Sequence, residues 1–214
     1  ARYRSSLSVA AVTYGAGALN MVNAVAQAYA EKSPVVIVSG APGAAEGLHG
    51  LGLHHQVKHL DSQFLIYKEL TCAQAVLDDA TTAPAEIARV LGEALRLSRP
   101  VYIELPRDMV DVPVGPVPKP ADDAPSREAA AEAAAEIMAR LAAARHPALL
   151  LCVEVRRYGL EKKVADLAQR LRIPTATTFM ARGILAGTDA PLIGTYLGLA
   201  GDTGIREAIE GSDA

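Results

Sequence analysis

Histidines are concentrated in one short segment of this chain. Four of its five histidines fall within residues 47–59: His49, His54, His55 and His59. Imidazole exchanges protons near neutral pH without help from its surroundings, so this segment is the strongest candidate for acid–base chemistry. Three glycines interrupt it and predict a shaped loop before His54, followed by a helix or structured turn. Such a loop could present His54 and His55 to a single ligand.

Other interpretations of these histidines stay open. Any one of them could be an ordinary structural histidine. A metal site is a second hypothesis, because His55 and His59 have the i, i+4 spacing of zinc-binding helices and Glu46 and Asp61 are close in sequence. No His-Glu-x-x-His pattern or cysteine partner accompanies them. In a third interpretation, His49 and His59 are solvent-exposed flanks without a role.

The composition argues against several classes of partner. Half of the 214 residues are hydrophobic, and the net charge of -3 is spread over both signs. This pattern gives no electrostatic footprint for nucleic acid or an acidic membrane, and no apolar run reaches the length of about 20 residues that spans a bilayer. Cys72 and Cys152 lie far apart in apolar stretches, which predicts buried thiols in a reducing compartment. We therefore expect a cytoplasmic protein with a small-molecule ligand.

The elements before residue 108 predict a parallel α/β sheet. Residues 7–13 and 35–39 are short apolar runs suited to buried parallel strands, and residues 18–32 between them favour one helix. A glycine turn at residues 14–17 opens that helix. The turn lacks the third glycine of a dinucleotide-binding fingerprint, because Asn20 stands in its place, so a nicotinamide site is disfavoured.

Two candidate features leave from the carboxyl ends of predicted strands. The glycine turn follows the first strand and the histidine segment follows the second. Ligands of open parallel sheets bind at such strand ends, so we expect both features at one site. Further along, residues 64–70 are ambiguous between helix and strand, whereas residues 84–97 predict a helix and residues 101–105 a strand.

The composition changes after residue 108. Six prolines between residues 106 and 125 indicate an extended linker over 109–125. Ser126 then caps a predicted helix that reaches about Arg145, and later strands and helices alternate again, which predicts a second, Rossmann-like α/β domain over 126–214. The chain starts without methionine and ends where such a domain would continue, so we expect a piece of a longer protein.

Four motifs, in matching order, resemble the thiamine-diphosphate-dependent 2-oxo-acid decarboxylases, which include pyruvate, indolepyruvate and phenylpyruvate decarboxylases. The motifs are VTYGAGAL at 12–19, AYAEKSPVVIVSGAP at 28–42, LHH at 53–55 and RPVYIELPRD at 99–108. The tandem histidine separates this group from acetolactate synthases. VEVRRYGLE at 153–161 and TTFMARG at 177–183 are similar to the family's middle domain, and look closest to the aryl-pyruvate enzymes.

The resemblance implies a fold and an activity. Residues 1–108 would form an N-terminally truncated pyrimidine-binding domain, a parallel sheet with helices on both faces, and residues 126–214 a C-terminally truncated middle domain. The implied reaction is non-oxidative decarboxylation of a 2-oxo acid, an aryl-pyruvate such as phenylpyruvate or indole-3-pyruvate, to an aldehyde and carbon dioxide. The implied cofactors are thiamine diphosphate and Mg²⁺, and the full-length protein would be a homodimer or homotetramer.

The resemblance also implies roles for individual residues. His54 and His55 match the catalytic pair that binds the substrate carboxylate or relays protons. Thr13, Ala16 and Gly17 match the segment whose backbone packs against the cofactor's aminopyrimidine ring. The glutamate that activates this ring is expected before residue 1, and the Mg²⁺ ligands after residue 214.

The isolated chain is therefore expected neither to bind the cofactor tightly nor to turn over substrate. Gly201-Asp202-Thr203 resembles the start of the family's Gly-Asp-Gly metal motif, but Thr203 replaces the second glycine. Two alternatives stay open: a carboligase similar to acetolactate synthase, and a non-catalytic α/β module that binds a metal or regulates another protein.

Overall fold

The chain forms two compact units, Ala1–Asp123 and Ala124–Ala214, in a computed structural model that describes residues 1, 6–49, 52–120 and 126–214. The division falls inside the predicted linker, whose own bounds of 109 and 125 stay a prediction. No helix within the described ranges is long and apolar enough to cross a membrane.

The first unit contains a four-stranded parallel sheet, as predicted. Its strands pair in the order β1-β2-β4-β3. Prolines stand immediately before β2 and β4, where they end the preceding segment. The strand bounds are β1 (Ser8–Val12), β2 (Val35–Ala41), β3 (Gln74–Val76) and β4 (Val101–Pro106).

Among the described residues of the first unit, five α-helices connect these strands. The single helix predicted over residues 18–32 is wrong: the amide of Met21 bonds to the Ala18 carbonyl at 2.9 Å, an i to i−3 bond that interrupts the helix. The loop predicted before His54 is also partly wrong, because a short helix starts at Ala44. The helix bounds are α1 (Ala16–Leu19), α2 (Val22–Ala30), α3 (Ala44–His49), α4 (Ser62–Leu70) and α5 (Ala83–Leu97).

Helices cover both faces of the sheet, which confirms the predicted architecture. Residues alternate between the faces of each strand. One face packs against α5 through a buried cluster that includes Val36, Ala75, Val90, Val101 and Ile103. The other face packs against α1, α2 and α4 through Ala18, Val25, Ile37, Tyr67 and Tyr102.

The second unit is also α/β, with three parallel strands in the order β5-β6-β7. Ser126 caps its first helix as predicted, since its hydroxyl accepts a hydrogen bond from Ala129 N–H at 3.1 Å. The strands are β5 (Leu149–Leu151), β6 (Thr175–Thr177) and β7 (Leu192–Thr195), and the helices are α6 (Arg127–Ala143), α7 (Glu154–Arg157), α8 (Glu161–Leu171) and α9 (Thr203–Glu210).

The two cysteines differ in their surroundings. Cys72, in the first unit, is half-buried, and this burial raises the pKa of its thiol. Cys152, which follows the last residue of β5, is exposed, so the prediction of buried thiols is wrong for Cys152 and only partly right for Cys72.

Candidate active site

The glycine turn and the histidine segment meet beyond the carboxyl end of β1. Gly15 is buried and has a φ of 73°, a left-handed conformation that favours glycine. A Cβ placed on Gly15 would lie 2.0 Å from the His55 carbonyl oxygen. Only glycine therefore allows this contact. The phenol of Tyr14 adds a second link, because it donates to the Leu60 carbonyl at 3.2 Å.

His54 and His55 form a compact exposed pair. Their ring centroids lie 3.9 Å apart, and the ring planes are inclined by 70°. His55 has a φ of 68°, so the left-handed backbone brings the rings of two adjacent residues together. Of the two forms expected here, a helix or a structured turn, the pair lies in a structured turn, since α4 starts only at Ser62. Gln56 N–H closes this turn by donating to the Leu53 carbonyl at 3.0 Å.

The predicted cofactor-binding residues form a small exposed surface next to Gly15. Thr13 and Ala16 are exposed and Gly17 is half-buried. A Cβ on Gly17 would lie 2.5 Å from Thr13 Cγ2, so a side chain there would crowd the turn. Small side chains of this kind would let a flat ring approach the backbone, as the predicted contact with an aminopyrimidine ring requires. Their role in cofactor binding stays a prediction.

Under the glycine turn lies a buried polar network that the sequence did not reveal. Gln63 on α4 is 1% exposed, and its Oε1 accepts the Gly15 N–H at 2.7 Å. Its Nε2 carries two hydrogens and lies within hydrogen-bond distance of three acceptors: Ser39 Oγ at 3.0 Å, the Tyr102 hydroxyl and, at 3.3 Å, Glu104 Oε1. The Tyr102 hydroxyl in turn donates to Glu104 Oε1 at 2.7 Å.

Burial governs the ionisation of this network. Glu104 is only 7% exposed, and burial raises the pKa of its carboxyl, although hydrogen bonds from Tyr102 and Gln63 oppose the rise. Burial, and then the nearby Glu104 carboxylate, raise the pKa values of Tyr102 and Tyr14. Burial alone raises the pKa of Tyr67 to about 12. The tyrosine hydroxyls therefore stay protonated and can act as donors at neutral pH.

A second set of contacts holds α3 beside β4. Gly43 N–H donates to Glu46 Oε2 at 2.7 Å, an N-terminal capping bond that explains the helix where a loop was predicted. Glu46 Oε1 also pairs with Arg107 at 2.5 Å, and Asp108 Oδ2 accepts from Ala44 N–H at 2.9 Å. The carboxylates of Glu46 and Asp108 thus bind backbone amides of the chain and the guanidinium of Arg107.

The metal hypothesis receives no support from these positions. Residues 55–59 are not helical, so His55 and His59 lack the geometry of a zinc helix. Within the described part of the chain, no group of three or more His, Cys, Asp and Glu side chains could hold a metal ion. His59 is exposed, as one interpretation expected, whereas the side chain of His49 falls outside the described residues.

The Gly201-Asp202-Thr203 sequence has a structural explanation. Asp202 occupies the N-cap position of α9, and its Oδ1 accepts from Ile205 N–H at 3.1 Å. An aspartate at an N-cap stabilises the first turn of a helix. This agrees with the interpretation that the segment only resembles a metal motif.

Comparisons with known proteins match both units. The family description "Thiamine pyrophosphate enzyme, N-terminal TPP binding domain" matches residues 1–64, and "Thiamine pyrophosphate enzyme, central domain" matches residues 134–214. Thiamine pyrophosphate is another name for thiamine diphosphate. These matches cover the glycine turn, the histidine pair and Gln63 in the first unit, and most of the second unit.

Individual relatives are decarboxylases by name. The chain is 61% identical over 213 residues to an indole-3-pyruvate decarboxylase of Azospirillum brasilense, an alignment that covers 100% of the chain and 39% of that protein. It is 37% identical over 183 residues to a pyruvate decarboxylase of Aspergillus parasiticus, covering 82% of the chain and 32% of the relative. An α-keto-acid decarboxylase of Mycobacterium leprae is 33% identical over 209 residues, covering 95% of the chain and 36% of the relative.

The chain spans 39% or less of the length of these three relatives. The family resemblance seen in the four motifs is confirmed by the matches to both domains. The chain therefore belongs to the thiamine pyrophosphate enzymes, of which it carries the N-terminal cofactor-binding domain and the central domain.

Proposed function

We propose that this chain is part of a 2-oxo-acid decarboxylase that converts an aryl-pyruvate, indole-3-pyruvate or phenylpyruvate, to an aldehyde and carbon dioxide. One observation carries the proposal: the exposed rings of His54 and His55 lie 3.9 Å apart in the turn that contacts Gly15. The names of the relatives support the reaction, and the 61% identity to an indole-3-pyruvate decarboxylase supports the aryl substrate. The activity is proposed for a longer, full-length protein.

The chain's own residues fit one end of the cofactor. Thiamine diphosphate, when bound, supplies the electron sink that a 2-oxo acid needs in order to lose carbon dioxide. Thr13, Ala16 and Gly17 would hold its aminopyrimidine ring, because their small side chains leave the turn accessible. We propose that Mg²⁺ and the diphosphate are bound by residues outside this chain.

The histidine pair would manage the protons of the reaction. Decarboxylation replaces the carbon–carbon bond to the carboxylate by a carbon–hydrogen bond, so each turnover consumes one proton. An imidazolium at His54 or His55 can donate that proton and regain it from solvent, since both rings are exposed. While charged, the same imidazolium can bind the carboxylate of the incoming 2-oxo acid.

The remaining features of the proposal rest on the family resemblance and the composition. We propose a homodimer or homotetramer for the full-length protein and a cytoplasmic location. The net charge of -3, without a basic cluster, supports a small 2-oxo acid rather than nucleic acid as the ligand.

The test compares histidine variants of the full-length protein, supplied with thiamine diphosphate and Mg²⁺. Asparagine is the replacement of choice, because it tolerates the left-handed backbone of residue 55. His54→Asn and His55→Asn should each lower kcat/KM for indole-3-pyruvate or phenylpyruvate by about a hundredfold or more. His146→Asn is the matched control, since His146 is an exposed histidine of the second unit, and it should change kcat/KM by less than about twofold.

Product analysis decides between reaction classes. An aryl acetaldehyde and one equivalent of carbon dioxide support decarboxylation. An acyloin or acetolactate as the main product favours a carboligase instead. Full activity in both histidine variants, or no turnover of any 2-oxo acid by the cofactor-loaded protein, contradicts the proposal.

A further inference from the structure

The glycine turn depends on one buried side chain for a backbone hydrogen bond. Gly15 N–H cannot bond within α1, because it precedes the first turn of that helix. Gln63 Oε1 accepts this N–H at 2.7 Å, in a site where both residues are buried. A buried amide without an acceptor costs free energy, so the bond favours this position of the turn.

The orientation of the Gln63 amide is fixed by its other neighbours. Its Nε2 faces three acceptor oxygens on the sheet, at Ser39, Tyr102 and Glu104. Both hydroxyls donate their own hydrogens to other acceptors, so an amide oxygen in the place of Nε2 would face only lone pairs and be repelled. Residues 39 and 104 are register partners on adjacent strands, β2 and β4. The sheet therefore aims the Gln63 oxygen at Gly15.

The position of Gly15 is coupled to that of the histidine pair. The His55 carbonyl packs where a Cβ of residue 15 would lie, so movement of the turn displaces the backbone that carries the imidazoles. The bond from Tyr14 to the Leu60 carbonyl links the same two segments a second time. A chain of contacts therefore runs from the carboxyl ends of β2 and β4 to Gln63, from Gln63 to Gly15, and from Gly15 to His55.

We infer that Gln63 is a positioning residue for His54 and His55, acting through the Gly15 backbone. The catalytic part of this inference rests on the proposed function, whereas its structural part does not. The hydrogen bonds of Gln63 found among the described residues go to Gly15, Ser39, Tyr102 and Glu104 and not to either imidazole, so its effect is on the placement of the pair. Its substitution should therefore lower kcat more than it raises KM.

The first test measures structure in the 214-residue chain by nuclear magnetic resonance. In Gln63→Leu, hydrogen exchange of the Gly15 amide, corrected for intrinsic rates, should become about tenfold faster, and the nuclear Overhauser effect between the two imidazoles should weaken. Gln74→Leu is the matched control: Gln74 is a half-buried glutamine whose Nε2 bonds to Thr71 Oγ1 at 2.9 Å, outside the network. It should leave both signals unchanged.

A second variant covers the case in which Gln63→Leu fails to fold. Gln63→Glu keeps an acceptor for Gly15 N–H but places a second carboxyl beside Glu104. At low pH the two carboxyls can share a proton and the turn should stay protected. As pH rises and both ionise, repulsion should expose the Gly15 amide. Other ionisable groups near this site include His55 against Gly15 and Tyr67, whose ring stacks on that of Tyr102. Tyr102 itself on β4, Tyr14 after β1 and Asp61 before α4 also lie near it.

Activity then tests the catalytic part in the full-length protein. Gln63→Leu should reduce kcat about tenfold or more with a smaller change in KM, and Gln63→Glu should regain kcat only at the acidic end of its pH profile. The inference is overturned if Gly15 exchange and the imidazole contact are unchanged in folded Gln63→Leu, if Gln63→Glu shows no pH dependence, or if Gln74→Leu loses as much kcat. If the wild-type protein decarboxylates no 2-oxo acid, the proposed function fails, while the resonance measurements still decide the structural part.

Discussion

The backbone of Gly15 lies directly against the carbonyl of His55, in the space that a side chain on residue 15 would occupy. This contact joins the glycine turn that follows β1 to the histidine segment, 40 residues later in the chain. It explains why the two sequence features converge on one site, and it makes the site sensitive to a single methyl group.

Gly15→Ala should therefore disturb both the fold and the histidine pair. The new Cβ would stand 2.0 Å from the His55 carbonyl oxygen, and alanine would be held at a φ of 73°. We expect the free energy of unfolding to fall by about 2 kcal/mol or more. Urea denaturation measures this loss.

Gly47→Ala is the control for that substitution. A Cβ on Gly47, which lies within α3, meets nothing within 4 Å. Alanine is the better helix former, so this variant should be unchanged or more stable by about 0.5–1 kcal/mol. Equal losses in the two variants would contradict the close contact at Gly15.

Glu104→Gln should change how stability depends on pH. Burial raises the pKa of Glu104, so folding favours its protonated form, and the associated stability is lost as pH rises through the raised pKa. Glutamine stays uncharged and can still accept from Tyr102. The variant should gain stability relative to the wild type as pH rises above about 4.3, the ordinary pKa of glutamate, as measured by urea denaturation.

Glu136→Gln provides the comparison for Glu104→Gln. The side chain of Glu136 is 66% exposed and pairs with Arg140 on the surface of α6. Its effect on stability should be small across the same pH range. A pH-independent difference at Glu104 would show that its carboxyl is not disfavoured by burial.

Tyr67→Phe tests the contact between α4 and α1. The Tyr67 hydroxyl donates to the Ala18 carbonyl at 2.6 Å, and its loss should cost about 1 kcal/mol of unfolding free energy. Since the pKa of Tyr67 is raised to about 12, this cost should be the same from acidic to mildly alkaline pH. Tyr29→Phe should change stability by less than about 0.5 kcal/mol, because its ring can still pack under Arg99, 4.0 Å from the ring centroid.

The 214-residue chain alone should bind thiamine diphosphate weakly. Its turn at residues 13–17 offers a surface to the aminopyrimidine ring, but the described residues contain no group of three or more His, Cys, Asp and Glu side chains that could hold a metal ion beside the diphosphate. Isothermal titration calorimetry with thiamine diphosphate and Mg²⁺ should show no saturable binding at micromolar concentrations. A micromolar dissociation constant would mean that the 214-residue chain itself carries a complete cofactor site.

The sequence predicted those elements whose local signals agree with their tertiary surroundings. β2 and β4 are apolar runs that follow Pro34 and Pro100, and α5 has a continuous apolar stripe with Pro84 in its first turn. The ambiguous segment at residues 64–70 is α4, in which only Gln63 and Tyr67 are fully buried, so its periodicity is weak. β3, α7 and β7 have three or four residues each, and none of them is a run of three large apolar residues like Leu149–Leu151 of β5.

The candidate site was only half visible from the sequence. His54 and His55 could be singled out by type, because adjacent imidazoles are unusual. Gln63 could not, since glutamine is mostly exposed and nothing local marks this one as buried. Its burial depends on Ser39 and Glu104, which arrive from distant parts of the chain. The sequence hints at a buried polar network only through Ser39 and Glu104, polar residues near the ends of the otherwise apolar strands β2 and β4.

The alternation along β4 has a consequence for evolution by insertion and deletion. Val101 and Ile103 belong to the apolar cluster under α5, while Tyr102 and Glu104 point to the opposite side, toward Gln63. Deleting one residue from this strand would exchange the two sets. The Glu104 carboxyl would then face the apolar cluster under α5, and the Gln63 amide would face aliphatic side chains. We expect length changes in this protein to be tolerated in its loops, and this strand to admit substitutions only.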